Sequence, residues 1–485
     1  KYIYQLYTTF FILYDKHILY AKKGLNFMKK LFCFLAIIAT FGLINITSNA
    51  TEAPIYNESY NNNQGAFFAN GVPIVISEID GNTVITWDAG SQIVPSTVSV
   101  FGGGNGGNYE TSQITMESGT VQNLIAGGIG YTADKSSTVT TTNITINGGT
   151  ISNAVTGGGY FNAKVNNSNI QMNGGTALTV QGGGMASGKI DGVNYSVGTK
   201  DDSINSPNRT EISNITISGG TVTYGIFGGG QGYSYTGTVN LTISDGNMSN
   251  SYVTAGGSNG YTGTANVKLL GGKLGVYQTV NRGILDNATV KVAGSSIEKF
   301  YVGGETEDKS VTGIINKVNT HLVSGNIKSL DSGTSNGSPI TIDNETYTVT
   351  ATDSVKITND NIGDSKSSIA YDFTFSANSV KLFVNQNMKI FTFITTEPSG
   401  YEDVFADLFS YSVDDESIAT VSEDGIITGV SEGSTSVTVK NGDKIETIDV
   451  TVTDAQALII LLFVLVVAVV ALFIVLFVFL YLEFF

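Results

Sequence analysis

Apolar and polar residues alternate with a period of two through much of the chain between residues 98 and 330. Ile144 and Ile146, for example, stand on either side of a polar residue, as in a strand with one buried face. The helical spacing of three and four is missing from this pattern, and glycine at this density would cost a helix about 1 kcal/mol per residue relative to alanine. The pattern predicts an all-β region of short strands.

The strands belong to a repeated unit: an alternating strand, a glycine pair, a second short strand and a glycine cluster. The copies begin at Gln113, Asn143, Asn169, Asn214, Asn240, Asn266 and Thr289, in steps of 30, 26, 45, 26, 26 and 23 residues, and the last two copies are decayed. One unit cannot bury its apolar face alone, but like units stacked about 4.8 Å apart form a continuous core. The repeats therefore predict a parallel β-helix over residues 98–330. Glycine would mark its corners, where positive φ or close backbone approach is needed.

Asparagine is the leading residue of five copies. Amides in the same register can hydrogen-bond from coil to coil, and the pattern resembles the asparagine ladders of right-handed parallel β-helix proteins. Strict alternation would instead place the same side chains outward, beside Thr145 and Thr216. Both arrangements are open from the sequence.

β-Rich segments flank the repeats. Residues 72–90 alternate as strands, and residues 51–97 are predicted to cap the first coil, which would cover an edge that otherwise invites aggregation. Residues 331–388 are β-rich without the glycine pattern and are interpreted as a second cap and connector.

Both ends of the chain are apolar. Residues 28–50 have the charged, apolar and small-residue order of a secretory signal peptide, with cleavage expected after Ala50, and residues 1–27 are interpreted as over-extended translation. The alternative for this end is a transmembrane stretch followed by a signal-like segment. Residues 455–482 hold no charged residue and at ~1.5 Å per residue exceed the ~30 Å hydrocarbon core of a membrane. Residues 455–485 are therefore predicted to be a C-terminal transmembrane helix that anchors an exported protein.

The charge of the exported part limits its partners. The chain has a net charge of −16, and removing the +5 of residues 1–50 and the −1 of residues 455–485 leaves −20 for residues 51–454. Nucleic-acid binding depends on neutralisation of phosphate by Lys and Arg, so it is disfavoured. The only cysteine, Cys33, lies in the signal segment, so no disulfide is expected in the exported part.

The 45-residue step contains an insertion, residues 185–211, that departs from the template. Insertions in solenoids project from one face and often carry binding, although a tolerated polar loop is the alternative. The candidate ligand-binding residues here are Asp191, Asp201, Asp202 and Arg209. The aspartate pair predicts weak Ca²⁺ binding, and no other cofactor is expected.

Tyrosines follow the glycine clusters of several coils. Tyr160, Tyr233 and Tyr235 are candidates for a strip on which sugar rings stack, with packing at the corners as the alternative.

The coils offer little for catalysis. From Gly102 to Gly184 the charged residues are few, and none recurs at coil spacing to build the carboxylate cluster of a polysaccharide lyase or hydrolase. The run GGGNGG at 102–107 fits a dinucleotide-binding pattern, but no helix follows it. His321 is expected to pack in a cap. No catalytic residue is assigned.

Charge concentrates again in residues 389–454. This stretch contains Ser417–Val421, Asp424–Gly425, Ile427–Val430, Glu432–Gly433 and Ser436–Val439. In these motifs it resembles the group 2 bacterial Ig-like domains of surface proteins and adhesins, with Tyr411 in place of their usual Trp. The resemblance implies a β-sandwich spacer outside the cell.

The order of segments predicts a non-enzymatic, adhesin-like cell-surface protein. Its β-helix would face a glycan or an extracellular protein on an Ig-like stalk. The alternatives are a cell-surface polysaccharide lyase or hydrolase of β-helix type and a structural surface-layer component.

Overall fold

The computed structural model describes residues 52–60, 65–130, 135–186, 188–190, 193–195, 205–305, 313–343 and 345–484. The predicted signal peptide and the segment before it lie outside these residues. Most of the described chain is β-strand, with parallel pairing between successive repeats. The structure confirms three parts of the predicted fold class: the parallel β-helix, the Ig-like β-sandwich that follows it and the C-terminal helix.

Two long stacks of parallel strands, named face A and face B, form the walls of the solenoid. The strands of face A are Gly107–Met116, Ser137–Ile146, Ala163–Met172, Arg209–Ile217, Tyr235–Ile243, Tyr261–Leu269 and the first halves of Ile284–Tyr301 and Ile314–Asp331. The strands of face B are Ser99–Phe101, Thr120–Ile125, Thr150–Thr156, Thr176–Gln181, Thr221–Phe227, Asn247–Thr254, Lys273–Gln278 and the second halves of the same two long strands.

A third, narrow stack, face C, closes the coil after each glycine cluster. Its strands are Ile129–Gly130, Tyr160–Phe161, Met185–Ala186 and Gln231–Gly232. One coil therefore consists of a face A strand, a face B strand and a short face C segment.

The core is a set of aliphatic columns that run along the solenoid. One column joins register partners on face A, all buried: Ile114, Ile144, Ile170, Ile215, Leu241, Val267 and Val290. Because each apolar side chain rests on its equivalent in the next coil, the repeat buries its apolar face without a second sheet from elsewhere.

Glycine serves two different purposes at the corners. Between face A and face B, the second glycine of the pair has a positive φ, for example +82° at Gly149, a conformation that L side chains rarely adopt. In the clusters between face B and face C, the need is space. A Cβ at Gly183 would lie 2.4 Å from Thr236 Oγ1 and 2.5 Å from the backbone N of Gly230 in the next coil.

Short strands cover both ends of the solenoid. Ile55–Asn57 pairs with Ala66–Phe68, and Ile74–Ile79, Asn82–Trp87 and Gly90–Val94 form an antiparallel meander whose first strand also pairs with face A. At the other end, Tyr347–Ala351 and Val355–Asp360 add one more parallel layer to faces A and B. The remaining short elements there are Thr334–Ser335, Ser338–Pro339, the 3₁₀ helix Gly363–Ser365 and Ser367–Ser368.

A separate β-sandwich follows. Its strands are Ala370–Phe375, Ser379–Phe383, Asn387–Lys389, Thr392–Glu397, Phe409–Val413, Ala419–Val421, Ile426–Gly429, Gly433–Asn441 and Lys444–Thr453, with the short helix Glu402–Ala406 between them. Side chains from both layers, including Phe373, Phe405 and Ile448, form its buried core.

The sandwich packs against the last coils of the solenoid. Ala293 and Val323, at the corner between faces A and B, are buried in the same cluster as Phe405. Asp407 Oδ1 lies 2.7 Å from Lys291 Nζ, and its Oδ2 lies 2.8 Å from Lys268 Nζ. The Ig-like domain is therefore held along the side of the C-terminal coils by both apolar and ionic contacts.

The chain ends in the helix Ala455–Phe484. Over residues 463–479 the residues of this helix are exposed. Within the described part of the chain, no helix meets the length and apolarity required to cross a membrane. The predicted helix is confirmed, but its predicted role as a membrane anchor is not supported.

Candidate functional site

The outer surface of face A carries a continuous ladder of amides. Each Nδ2 donates to the Oδ1 of the preceding coil, at 3.0 Å from Asn169 to Asn143, 2.9 Å from Asn214 to Asn169, 2.8 Å from Asn240 to Asn214 and 3.0 Å from Asn266 to Asn240. These side chains alternate with the buried aliphatic column and so point outward. The two arrangements that the sequence leaves open, outward side chains and a hydrogen-bonded ladder, therefore occur together. Each outward amide reaches the equivalent amide of the next coil, which lies one strand spacing away.

A basic and aromatic stack lies at the start of the face A strands. Arg209, Tyr235 and Tyr261 are register partners in three successive coils. The Arg209 guanidinium lies 3.7 Å from the centroid of the Tyr235 ring, and the rings of Tyr235 and Tyr261 stack at 5.4 Å with 20° between their planes. Arginine over the face of an aromatic ring is a favourable cation–π geometry.

Polar contacts fix both ends of this stack. Arg209 Nε lies 3.0 Å from Glu211 Oε1. The Tyr261 hydroxyl donates to Asp286 Oδ2 at 2.6 Å, and Asn316 Nδ2 donates to Asp286 Oδ1 at 2.8 Å. Burial, then the contact with Asp286, raises the pKa of Tyr261 well above its usual range. Tyr261 is only 7% exposed, so Arg209 and Tyr235 present the accessible part of the stack.

The end of the insertion positions Arg209. Asn208 is fully buried, and its Nδ2 donates to the carbonyl oxygens of Gly159 at 2.9 Å and Phe161 at 2.7 Å. The hydroxyl of Ser206 donates to the carbonyl oxygen of Tyr233. These hydrogen bonds of Ser206 and Asn208 therefore fix the end of the insertion where it rejoins face A, and Tyr233 contributes its carbonyl oxygen to them.

The rest of the insertion contains a small antiparallel pair, Gly188–Ile190 with Val193–Tyr195. The candidate residues Asp191, Asp201 and Asp202 lie outside the described residues, so the Ca²⁺ site remains a prediction. Elsewhere in the described ranges, no group of three His, Cys, Asp or Glu residues could hold a metal ion.

Tyr160 lies apart from the basic and aromatic stack. It belongs to face C, where its ring packs edge-on against Phe101 at 5.7 Å and against Phe161 at 6.4 Å. Burial raises the pKa of its hydroxyl to about 12. These contacts match the corner-packing alternative for this tyrosine.

The structure brings Arg209 and Tyr235 together, and Tyr233 takes part through its carbonyl oxygen, which accepts from Ser206. The sequence did not single out Asp286 and Asn316 as part of this site. The register does reveal them, because Asp286 lies two residues into the coil that follows Tyr261, and Asn316 lies in the coil after that.

Comparison with known proteins identifies the C-terminal sandwich. Residues 369–452 match the family described as bacterial Ig-like domain (group 2). The match begins 20 residues before the boundary at 389 that the sequence motifs indicate, because the strand Ala370–Phe375 pairs with Thr392–Glu397 inside the sandwich. Among the curated proteins, no significant match to the chain is found. Residues 369–452 are therefore a bacterial Ig-like domain of group 2, and domains of this group occur in extracellular bacterial surface proteins.

Proposed function

We propose that this chain is an exported bacterial surface protein that binds an extracellular glycan through the outer surface of face A beside the insertion. The observation that carries the proposal is the stack of Arg209 on Tyr235, on the same strands of face A as the amide ladder and five residues before it. The Tyr235 ring lies between Arg209 and Tyr261, so a sugar ring would pack on the guanidinium plane of Arg209 and along the edge of Tyr235, and the outward amides suit its hydroxyls.

The surrounding groups support binding rather than catalysis. The carboxylates described next to the stack are both engaged, Glu211 by Arg209 and Asp286 by Tyr261 and Asn316. Glycoside hydrolysis would require two carboxylates that flank the scissile bond and are available to transfer protons. The proposal is therefore an adhesin-like role without turnover.

The test is binding of the purified protein to glycan and extracellular-matrix arrays. We expect retention on one glycan class that is lost in Arg209→Ala and Tyr235→Ala. Tyr224→Ala is the matched control, because Tyr224 is an exposed tyrosine on face B, away from the stack.

Three results would contradict the proposal. If the protein were retained only on a matrix protein, its partner would be a protein and not a glycan. If the intact protein were not retained at all, a structural surface component would be favoured. Release of reducing ends from a bound polysaccharide would show an enzyme.

A further inference from the structure

A concave surface lies between the last solenoid layer and the Ig-like domain. It is a half-open cavity with a volume of about 520 Å³, within the ~300–1,000 Å³ typical of small-molecule sites. Its lining includes Asn319, His321, Thr348 and Thr350 from the solenoid and Tyr401 and Val404 from the Ig-like domain. The cavity exists only because the two parts pack together, so neither part alone forms it.

The lining is polar but uncharged. Thr348 Oγ1 donates to Asn319 Oδ1 at 3.0 Å, which leaves the Asn319 amide nitrogen as a further donor. His321 Nδ1 lies 2.8 Å from Thr350 Oγ1, which leaves Nε2 as a second polar atom of the imidazole. Burial, followed by the positive charge of Lys291, lowers the pKa of His321 to about 4, so the imidazole is neutral at pH 7.

The opposite wall supplies an aromatic side chain in a fixed position. Tyr401 packs against the buried core of the sandwich. Its backbone N–H donates to Thr396 Oγ1 at 3.3 Å, and its carbonyl oxygen accepts from the N–H of Val404 at 2.9 Å. Tyr401 therefore lines the cavity from a fixed backbone position immediately before the short helix Glu402–Ala406.

We propose that this cavity binds a neutral mono- or disaccharide, with Tyr401 against the apolar face of a sugar ring and Asn319, His321 and Thr348 bonded to its hydroxyls. A phosphate, a carboxylate or a peptide terminus would bring a charge that no described lining side chain neutralises, and burial of an unpaired charge is costly. The site is distinct from the face A surface and does not depend on the function proposed for that surface.

The test is saturation-transfer difference NMR on the full chain with glucose, galactose, mannose, N-acetylglucosamine, lactose and maltose. We expect at least one of them to bind. Thr348→Val, which keeps the shape and removes the hydroxyl, should weaken binding roughly tenfold. Tyr401→Ala should abolish it, and Tyr401→Phe should retain it. Tyr224→Ala, at an exposed tyrosine on face B, is the matched control and should bind as the unchanged protein does.

The proposal is overturned if none of the six sugars binds the unchanged protein, or if Thr348→Val binds as tightly as the unchanged protein. It is also overturned if glucuronate or glucosamine binds more tightly than every one of the six neutral sugars. Thr348→Val decides the matter if Tyr401→Ala proves unfolded by its thermal transition. Tyr235→Ala is measured in the same experiment: binding that Tyr235→Ala removes and Thr348→Val keeps belongs to the face A surface, so a failure of this site is distinguished from a failure of that surface.

Discussion

The corner between faces A and B is built differently in two regions of the solenoid. In five successive coils the first corner residue is polar and exposed: Glu117, Asn147, Asn173, Ser218 and Ser244. In the next three coils it is apolar: Leu270, Ala293 and Val323. The exposed corners hydrogen-bond to one another, with Asn147 Nδ2 donating to Glu117 Oε1 at 3.0 Å. The apolar corners pack against the Ig-like domain.

The outward column on face A changes at the same coil. Thr145, Gln171, Thr216 and Thr242 are followed by Lys268, Lys291 and His321 in the same register. Both lysines contact Asp407 of the Ig-like domain. The buried column one residue further along these strands meanwhile stays apolar, through Leu269, Val292 and Leu322. What looks in the sequence like decay of the repeat is therefore the replacement of solvent-facing residues by a docking surface.

The largest effect is expected from a charge placed in the covered corner. Val323 is 0% exposed, so Val323→Asp buries an unpaired carboxylate and should lower the free energy of unfolding by about 4 kcal/mol. Chemical unfolding and limited proteolysis between the two parts would measure this. Asn173→Asp places the same charge at an exposed corner and should change stability by less than about 0.5 kcal/mol. Equal effects would mean that the two regions do not differ as described.

The glycine clusters offer a second contrast between coils. Gly183 and Gly256 are both the middle residue of a cluster, but a Cβ at Gly183 would lie 2.5 Å from Gly230 N, whereas the nearest atom to one at Gly256 is 3.7 Å away. Gly183→Ala should therefore cost about 3 kcal/mol. Gly256→Ala should be neutral or stabilise by up to about 1 kcal/mol, because it restricts the unfolded chain. Thermal unfolding of the two variants checks this, and a costly Gly256→Ala would show that spacing alone does not explain the clusters.

His321 should make the covered region sensitive to pH. Its folded pKa, lowered to about 4 mainly by burial, lies below the unfolded value of about 6.5. The unfolded chain therefore takes up the proton first, and stability is lost as the pH falls from about 6.5 to about 4. Unfolding measured across this range should show the loss, and His321→Gln should reduce it. An unchanged pH profile in the variant would assign the loss to other groups.

The smallest effect should come from the ion pairs of the docking surface. Asp407→Asn should cost about 1–2 kcal/mol, because Lys291, with a side chain only 12% exposed, loses its charged partner. Burial raises the pKa of Asp407, but the hydrogen bonds from Lys268 and Lys291 outweigh this and hold it below its usual range. Its contribution is therefore lost only as the pH falls below about 4.

Glu298→Gln is the control for Asp407→Asn. Glu298 pairs with Lys328, whose side chain is 65% exposed, and such surface pairs contribute little. Denaturant unfolding should show a change below about 0.5 kcal/mol. A larger loss here than in Asp407→Asn would remove the distinction between covered and open coils.

The sequence predicts the features that depend on local pattern. Alternation and the 26-residue step predict the stacked coils and the aliphatic column, and the leading asparagines predict the ladder. The Ig-like motifs predict the sandwich. These features follow from contacts between equivalent positions of adjacent repeats, and a periodic sequence displays those contacts directly.

The remaining features depend on contacts between residues far apart in the chain, which the repeat pattern does not reveal. Lys291 and Asp407 are 116 residues apart, and neither shows in the sequence that it faces the other. The cavity around His321 and Tyr401 follows from the same packing. Similarly, Tyr160 and Tyr235 follow glycine clusters alike, but one packs in a corner and the other lies under Arg209, because the insertion brings arginine to only one coil.

Each rung of the amide ladder is self-contained, since it links only the coil before it and the coil after it. Residues 214–239 make up one complete 26-residue repeat, and their duplication would add a rung without altering the cap at either end. The molecule can therefore be lengthened by whole coils of about 4.8 Å each. The number of coils, in evolution or in design, would set the distance between the N-terminal cap and the Ig-like domain.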